Sequence, residues 1–430
     1  MAAPTATRIV NTDYIAARPV DPRVVEAMVP WFRESLANPS SAHSAGHNAR
    51  VAVEEARAKL AALVGAAKPR EVVFTGTATE SNNIAITGLA RRNKAAGNHI
   101  VISAIEHISI LNIAKALEKE GFQVTKVPVE KETGLLDLAA FREALRKETV
   151  LASVQYANPE IGTVQPVADV GNICREKDVY LHVDATDAAG HIPVDVQKEG
   201  VDLLTFSSND MYGPMGVAAL YTKDGTKVEP VLHGGGQEKG LRSGTENVPA
   251  IVGFGLAAEI AKLEMGAEGA RLAKFRDRLI GEALKRIPRS HLSGHPTKRL
   301  PYHASLWFEA VEGEALTLNL NDRGILTATG SSCMSKTLAP SHVLHAIGLN
   351  EVQAHGSLIF SMGRWTTAEE VDYLLEHLPQ VLEKLRRLSP LWGKDWEPLY
   401  AAGMKSEEEL KKRVLDAERS RGPAATARGP

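Results

Sequence analysis

Short apolar runs alternate along the first half of the chain with longer amphipathic stretches, and the spacing sorts them into strands and helices. Runs at 71–74, 99–103, 122–129, 150–156, 179–184, 201–206 and 216–221 read as strands. Between them, 81–92, 109–120, 137–146 and 167–177 carry apolar residues at helical spacing. Repeated β-α alternation with right-handed crossovers predicts an α/β protein, a mainly parallel sheet covered by helices on both faces. Ahead of it, 8–14 reads as a short strand. Asp21 and Pro22 then open a helix as N-cap and first-turn proline, and Pro30 is expected to break or kink it. An alanine-rich helix at 44–64 ends at Gly65.

Past residue 265 the pattern changes. A glycine-rich loop at 231–247 leads into a helix at 248–265, and charged helices at 269–286 and 367–387 surround strand-like pieces at 304–308 and 358–360. The expected division is an N-terminal segment, 1–18, packing with a small domain; a large domain, 19–265; a smaller α+β domain, 266–391, with a small, polar and mobile loop at 327–342; and an appendage, 392–430. The appendage reads as a charged helix at 406–421 followed by GPAATARGP, a composition that favours disorder.

Composition narrows the function classes. A net charge of −2 over 430 residues gives no basic surface for nucleic acid or an anionic membrane. No apolar run reaches the roughly 18 residues of a membrane span. Two cysteines cannot build a disulfide framework and fit a reducing compartment, so a cytoplasmic protein is expected.

Candidate chemistry collects at strand ends. The run 201–216 leaves an apolar strand through Ser207, Ser208, Asn209 and Asp210 into a turn at Gly213 and Pro214. In open α/β sheets ligands bind there, so Asp210 is a candidate active carboxylate. GTATES at 76–81 sits between a strand and a helix, where Ala78 and Thr79 offer backbone N–H groups to a phosphate or simply cap the helix. HVDATD at 182–187 places Asp184 and Asp187 at another strand end, suited to a protonated ring nitrogen or to capping. His107 is similarly placed. Cys333, among small residues of a loop, suits a thiol that reaches outward, and Cys174 reads as a packed helix residue. A metal site built from Asp184, Asp187, Asp210 and His107 is a further reading.

Taken together, DYIAARPVDPRV, NPSSAH, VVFTGTATESNN, AIEH, EIGTVQP, HVDAT, TFSSND with YGPMG, HGGGQEKGLRSGT, GSSC, APSHVL and FSMGR resemble the cysteine desulfurases, fold-type I pyridoxal-phosphate enzymes of the class V aminotransferase group. The resemblance spans about residues 9–391. It implies a homodimer in which Ala78, Thr79 and Ser207 hold the cofactor phosphate and Thr245 is contributed by the neighbouring subunit. It further implies that Asp184 partners the pyridine nitrogen, His107 stacks on the ring, and Cys333 takes sulfur as a persulfide.

The resemblance departs where the family reads Ser-Gly-His-Lys and this chain reads Ser207-Ser208-Asn209-Asp210, placing Asp210 at the Schiff-base lysine. A carboxylate cannot link covalently to an aldehyde. Pro159, Asp187 and Ile359 likewise replace an asparagine and a glutamine that contact the cofactor and an arginine that binds the substrate carboxylate. Gathered carboxylates raise one another's pKa or invite a cation. A subgroup with the same replacement is implied, binding pyridoxal phosphate non-covalently at most. The expected role is iron–sulfur cluster assembly, with Cys333 carrying sulfur or ligating a [2Fe-2S] cluster shared with a small U-type scaffold protein. The alternative is an active desulfurase or lyase using non-covalent cofactor.

Overall fold

The computed structural model describes residues 8–34, 37–330, 341–393 and 412. Its first strand, β1 (Val10–Asn11), lies outside the main sheet. That sheet is built by β2 (Val72–Thr75), β3 (His99–Ser103), β4 (Gln123–Val127), β5 (Thr149–Gln155), β6 (Tyr180–Asp184), β7 (Leu203–Ser207) and β8 (Ala218–Thr222). The order across it is β2-β8-β7-β6-β5-β3-β4. β4, β3, β5, β6 and β7 run parallel, and β8 is antiparallel to both of its neighbours.

Successive residues of β3 divide between two apolar clusters. Val101 joins the larger, Ile100 and Ile102 the smaller. Helices therefore cover both faces, and β3, β5 and β7 are buried at every position, without the in–out alternation of a half-exposed strand. This is the mainly parallel α/β sheet expected from the pattern.

A smaller antiparallel sheet follows. It comprises β9 (Ser290–Leu292), β10 (His303–Phe308) and, after β11 (Ile325–Leu326), β12 (Ser357–Ser361), in the order β12-β10-β9. β11 pairs in parallel with β1, and the N–H of Ile15 donates to Ser361 Oγ at 2.8 Å. The N-terminal segment is thereby laid against this part of the chain.

Three expectations change. The first helix, Pro22–Arg33, runs through Pro30 instead of breaking there. Proline in this position removes one N–H from the ladder, and Glu34 N still donates to Pro30 O at 2.9 Å to close the last turn. The helices expected at 248–265 and 269–286 are one helix, Val248–Arg286. Gly266 lies in open space, so it weakens the helix without forcing a bend, and the boundary expected at 265 falls inside this element. The helix expected from residue 81 begins at Ala78, with Thr77 Oγ1 accepting from Glu80 N as its cap.

The helix Ala368–Leu388 opens on a reciprocal cap: Thr367 N donates to Glu370 Oε2 and Glu370 N to Thr367 Oγ1. Thr367→Ala is expected to lower stability by about 1 kcal/mol in urea denaturation, the loss of one capped N–H.

Candidate active site

The strand that leads to Asp210 ends abruptly. After β7, Ser208 passes into a single tight turn, Asn209–Met211, and Tyr212 adopts φ +63°, a left-handed conformation that a bulky side chain rarely takes. The surroundings hold it there: Tyr212 Oη donates to Glu268 Oε1 at 3.0 Å and accepts from Arg364 N at 2.8 Å. Gly213 completes the turn, where a Cβ would stand 2.1 Å from Ser208 Oγ. The turn fixes Asp210 at the carboxyl edge of the sheet.

At that edge, where β3, β5, β6 and β7 end, lies a cavity of about 310 Å3. Ala78, Thr79, His107, Asp184, Asp187 and Asp210 all line it, so the structure brings together six of the residues singled out from sequence. Pro159 and Ile359 line it as well, the latter from β12 of the smaller sheet. Ser207 is not among the lining residues; its hydroxyl donates to Asp210 Oδ2 at 2.7 Å. Thr245 is exposed on the loop before the long helix and lines no part of its own chain's cavity. Cys333 lies outside the described residues. Cys174 is buried on its helix, and burial pushes its thiol up to about 12, in keeping with a packed residue.

Asp184 is held on both oxygens. Asn82 Nδ2 donates to Oδ2 at 2.9 Å, and Thr186 donates to Oδ1 from its hydroxyl at 2.6 Å and its N–H at 3.1 Å. His107 caps the helix Ile108–Lys119 by accepting Ser109 N on Nδ1 at 3.2 Å, which leaves Nε2 to carry the proton of a neutral ring.

Asp210 has a partner that sequence reasoning missed. Arg18, with a fully buried side chain, places Nη1 3.2 Å from Asp210 Oδ1. Its guanidinium lies 4.8 Å from the Tyr302 ring centroid and 5.8 Å from that of Tyr212. Burial raises the Asp210 carboxyl, while Arg18 and the Ser207 hydroxyl pull it back down. Asp187 is pushed well above the carboxylate range, first by burial and then by the charge on Asp210. Both carboxyls are thus raised, Asp187 the more strongly, and the Arg18 guanidinium is paired with Asp210. Both outcomes expected of gathered carboxylates occur together, a raised pKa and a recruited cation.

Two further acids line the cavity. Burial pushes Glu106 up to about 8, against hydrogen bonds from Ser103 Oγ at 2.5 Å and Gln155 N at 2.8 Å, and its Oε2 is buried without a partner. Burial pushes Glu160 up to about 7, and the Ser341 hydroxyl donates to it. Glu106 appeared in the sequence only inside the AIEH landmark; nothing local marks its burial. Among the described residues, no group of three or more His, Cys, Asp or Glu side chains is arranged to hold a metal ion, which removes the reading of Asp184, Asp187, Asp210 and His107 as ligands.

Comparison with known families matches residues 10–374 to Aminotransferase class-V. The chain belongs to this family. It is 53% identical over 380 residues to Cysteine desulfurase IscS 1 of Archaeoglobus fulgidus, covering 88% of this chain and 98% of that one. Cysteine desulfurase IscS of Methanosarcina thermophila is 46% identical, covering 92% and 97%. Among solved structures, a NifS-like protein superposes with a TM-score of 0.82 at 36% identity, covering 88% of this chain and all of the other. These matches place the chain in the cysteine desulfurase branch of the family, with the architecture of fold-type I pyridoxal-phosphate enzymes.

The cavity fits such a cofactor in part. Asp184, fixed by Asn82 and Thr186, could hold a protonated ring nitrogen; His107 offers a ring wall; and Ala78 with Thr79 opens the helix beside β2. Covalent attachment does not fit. No lysine is among the described residues lining the cavity, and Asp210 there is already paired with Arg18.

Proposed function

We propose that this chain is a cysteine desulfurase-type protein of iron–sulfur cluster assembly and sulfur transfer that is impaired in desulfuration itself, one of a subgroup carrying aspartate in place of the Schiff-base lysine. One observation carries the reading: where the nucleophilic amine is needed, the cavity presents Asp210 tied to Arg18. The names of the relatives in Archaeoglobus fulgidus and Methanosarcina thermophila support the sulfur chemistry.

Cys333 is then the working thiol, carrying sulfur as a persulfide or ligating iron of a [2Fe-2S] cluster shared with a small U-type scaffold protein. In a homodimer, Thr245 and Ser207 contribute to a phosphate site together with Ala78 and Thr79. Among the described residues no helix is long and apolar enough to cross a membrane. The retained frame of Asp184 and His107 favours one second reading, an active enzyme using pyridoxal phosphate held without a covalent bond.

The test is anaerobic reconstitution of the chain with a U-type scaffold protein, iron and a low-molecular-weight persulfide, whose outer sulfur passes to a protein thiolate as its own thiol leaves, comparing unaltered protein with Cys333→Ala. Loss of the cluster absorbance and of protein-bound persulfide is expected in the variant. Equal cluster and persulfide in both proteins would overturn the assignment to Cys333.

A further inference from the structure

The chain leaves the helix Ala368–Leu388 at a fixed point. Ser389 N donates to Arg386 O at 3.2 Å to close the last turn, and Pro390 cannot continue the helix. Leu391 is buried, and the Trp392 ring lies 4.3 Å from the Arg386 guanidinium and 5.6 Å from that of Arg289. Arg386 is itself held, donating to the carbonyls of Pro288, Arg289 and Glu309. Gly393 follows at φ +73°, a left-handed turn that glycine takes without a steric penalty and that redirects the chain. Residues 394–430 set out from there.

Beside this exit lies a groove of about 260 Å3. Leu385, Leu388 and Pro390 form one wall, Val311 and Ala315 another, and Val352 comes from the short helix Glu351–His355. Glu312 and Ser389 are the polar residues among the lining, so an occupant has to bring apolar side chains. Leu388 shows 74% of its surface, and Leu318, three residues past Ala315 and on the same face of its helix, shows 66%. A lone exposed leucine is ordinary, whereas one at the mouth of an apolar groove marks area that a partner would remove from water.

The nearest apolar sequence is the chain's own. Residues 394–400 read KDWEPLY, which gathers Trp396, Pro398, Leu399 and Tyr400, and from 405 onward the chain is mostly charged and small residues. Trp396 stands at most about 11 Å from Gly393, the span of three extended residues. The segment therefore reaches a groove that Leu391 already lines and cannot stray far from it. Its tether makes docking intramolecular, with an effective concentration on the order of millimolar for a short linker, which a free partner or a second copy would have to match.

We propose that residues 396–400 fold back into this groove of their own chain, setting their apolar side chains against Val311, Ala315, Leu385 and Leu388. The groove is then a self-docking surface, and the charged stretch 406–421 is carried at the surface beside the smaller sheet.

The test is fluorescence anisotropy of a labelled peptide of residues 394–405 with two full-length proteins, the unaltered chain and the triple variant Trp396→Asp/Leu399→Asp/Tyr400→Asp. The variant's own segment no longer suits an apolar groove, so the variant should bind the peptide about tenfold or more tightly than the unaltered chain, whose groove is occupied. Adding Leu388→Asp to the triple variant should abolish peptide binding, and the exposure of Leu388 makes this change tolerable to the fold. Hydrogen exchange supplies a second measurement: amides of 309–316 and 385–391 should exchange several-fold faster in the triple variant than in the parent. Equal peptide binding to the two proteins, binding to neither, binding that survives Leu388→Asp, or unchanged exchange overturns the proposal. So does a parent whose mass by light scattering falls when the three residues are replaced, since the occupied groove would then be that of a second copy.

Discussion

Arg18→Met is expected to destabilise the fold by about 3–5 kcal/mol, because it removes one half of a buried ion pair and leaves the other half without compensation. Arg18 has no exposed side-chain surface, and Asp210, its partner at 3.2 Å, keeps only the Ser207 hydroxyl once the guanidinium is gone. Asp187 stands near enough that its own carboxyl already responds to the charge on Asp210. Without Arg18 no cation faces Asp210, so its carboxyl too must take up a proton on folding or the fold must loosen. Methionine fills much of the space between Tyr212 and Tyr302, so the loss reads as charge more than as cavity.

The double variant Arg18→Met/Asp210→Asn separates the two. Removing both charges should recover more than half of the loss, as a buried pair replaced by neutral groups is often close to isoenergetic. Urea denaturation of the four proteins in the cycle measures it. An Arg18→Met protein within about 1 kcal/mol of the parent would mean that the pair carries little energy. The same geometry explains why a lysine at 210 is not a one-residue change. It would meet Arg18, a second buried cation, at the position the carboxylate now satisfies.

The layout of the sheet was readable because each central strand is a short apolar run set between turn residues, and strands of this kind differ from helices in length alone. Asp184, Asp187, Asp210 and His107 were readable for a related reason: a polar residue directly after such a run falls at the sheet's carboxyl edge whatever the details of packing. Arg18 was not. It lies in an irregular segment 192 residues from Asp210, and no periodicity constrains where a side chain in such a segment points. The gathering of Asp187 and Asp210 was the only hint that a cation must come from elsewhere.

The long helix was misread for the opposite reason. Gly266 and Gly269 carry the local signature of a break, and the flanking turns hold the helix together across them. At Pro30 the breaker acts on one hydrogen bond, which the remainder of its helix tolerates.

Glu106→Gln is expected to make the protein more stable at alkaline pH and to flatten part of its pH dependence. Burial raises the Glu106 carboxyl from 4.5 to about 8, so in the folded chain it keeps its proton through neutral pH, while in the unfolded chain it has lost it. Between those two values the folded state binds more protons than the unfolded one, and stability therefore falls as pH rises, the contribution being complete below the unfolded pKa and gone once pH passes the folded one.

Histidines work in the other direction. His99 and His182 are held down at about 4 and His303 at about 3 by burial, so their contribution grows with pH only up to the unfolded value near 6.5 and is flat above it. Between pH 7 and pH 8 the raised carboxyls therefore act without an opposing histidine slope. There the parent should lose about 1 kcal/mol more than Glu106→Gln between pH 7 and pH 8, and at pH 8 the variant should be about 4 kcal/mol the more stable.

Subtracting the two proteins' urea stabilities at each pH cancels Asp187 and Glu160, which titrate alike in both. Parallel curves across this window would show that Glu106 is ionised in the folded state at neutral pH. That result would also change the cavity, because an ionised Glu106 Oε2, buried and without a partner, would be an unpaired charge on its wall. A sloping difference instead makes Glu106 a neutral acid whose proton lies on the cavity wall, available to a bound group.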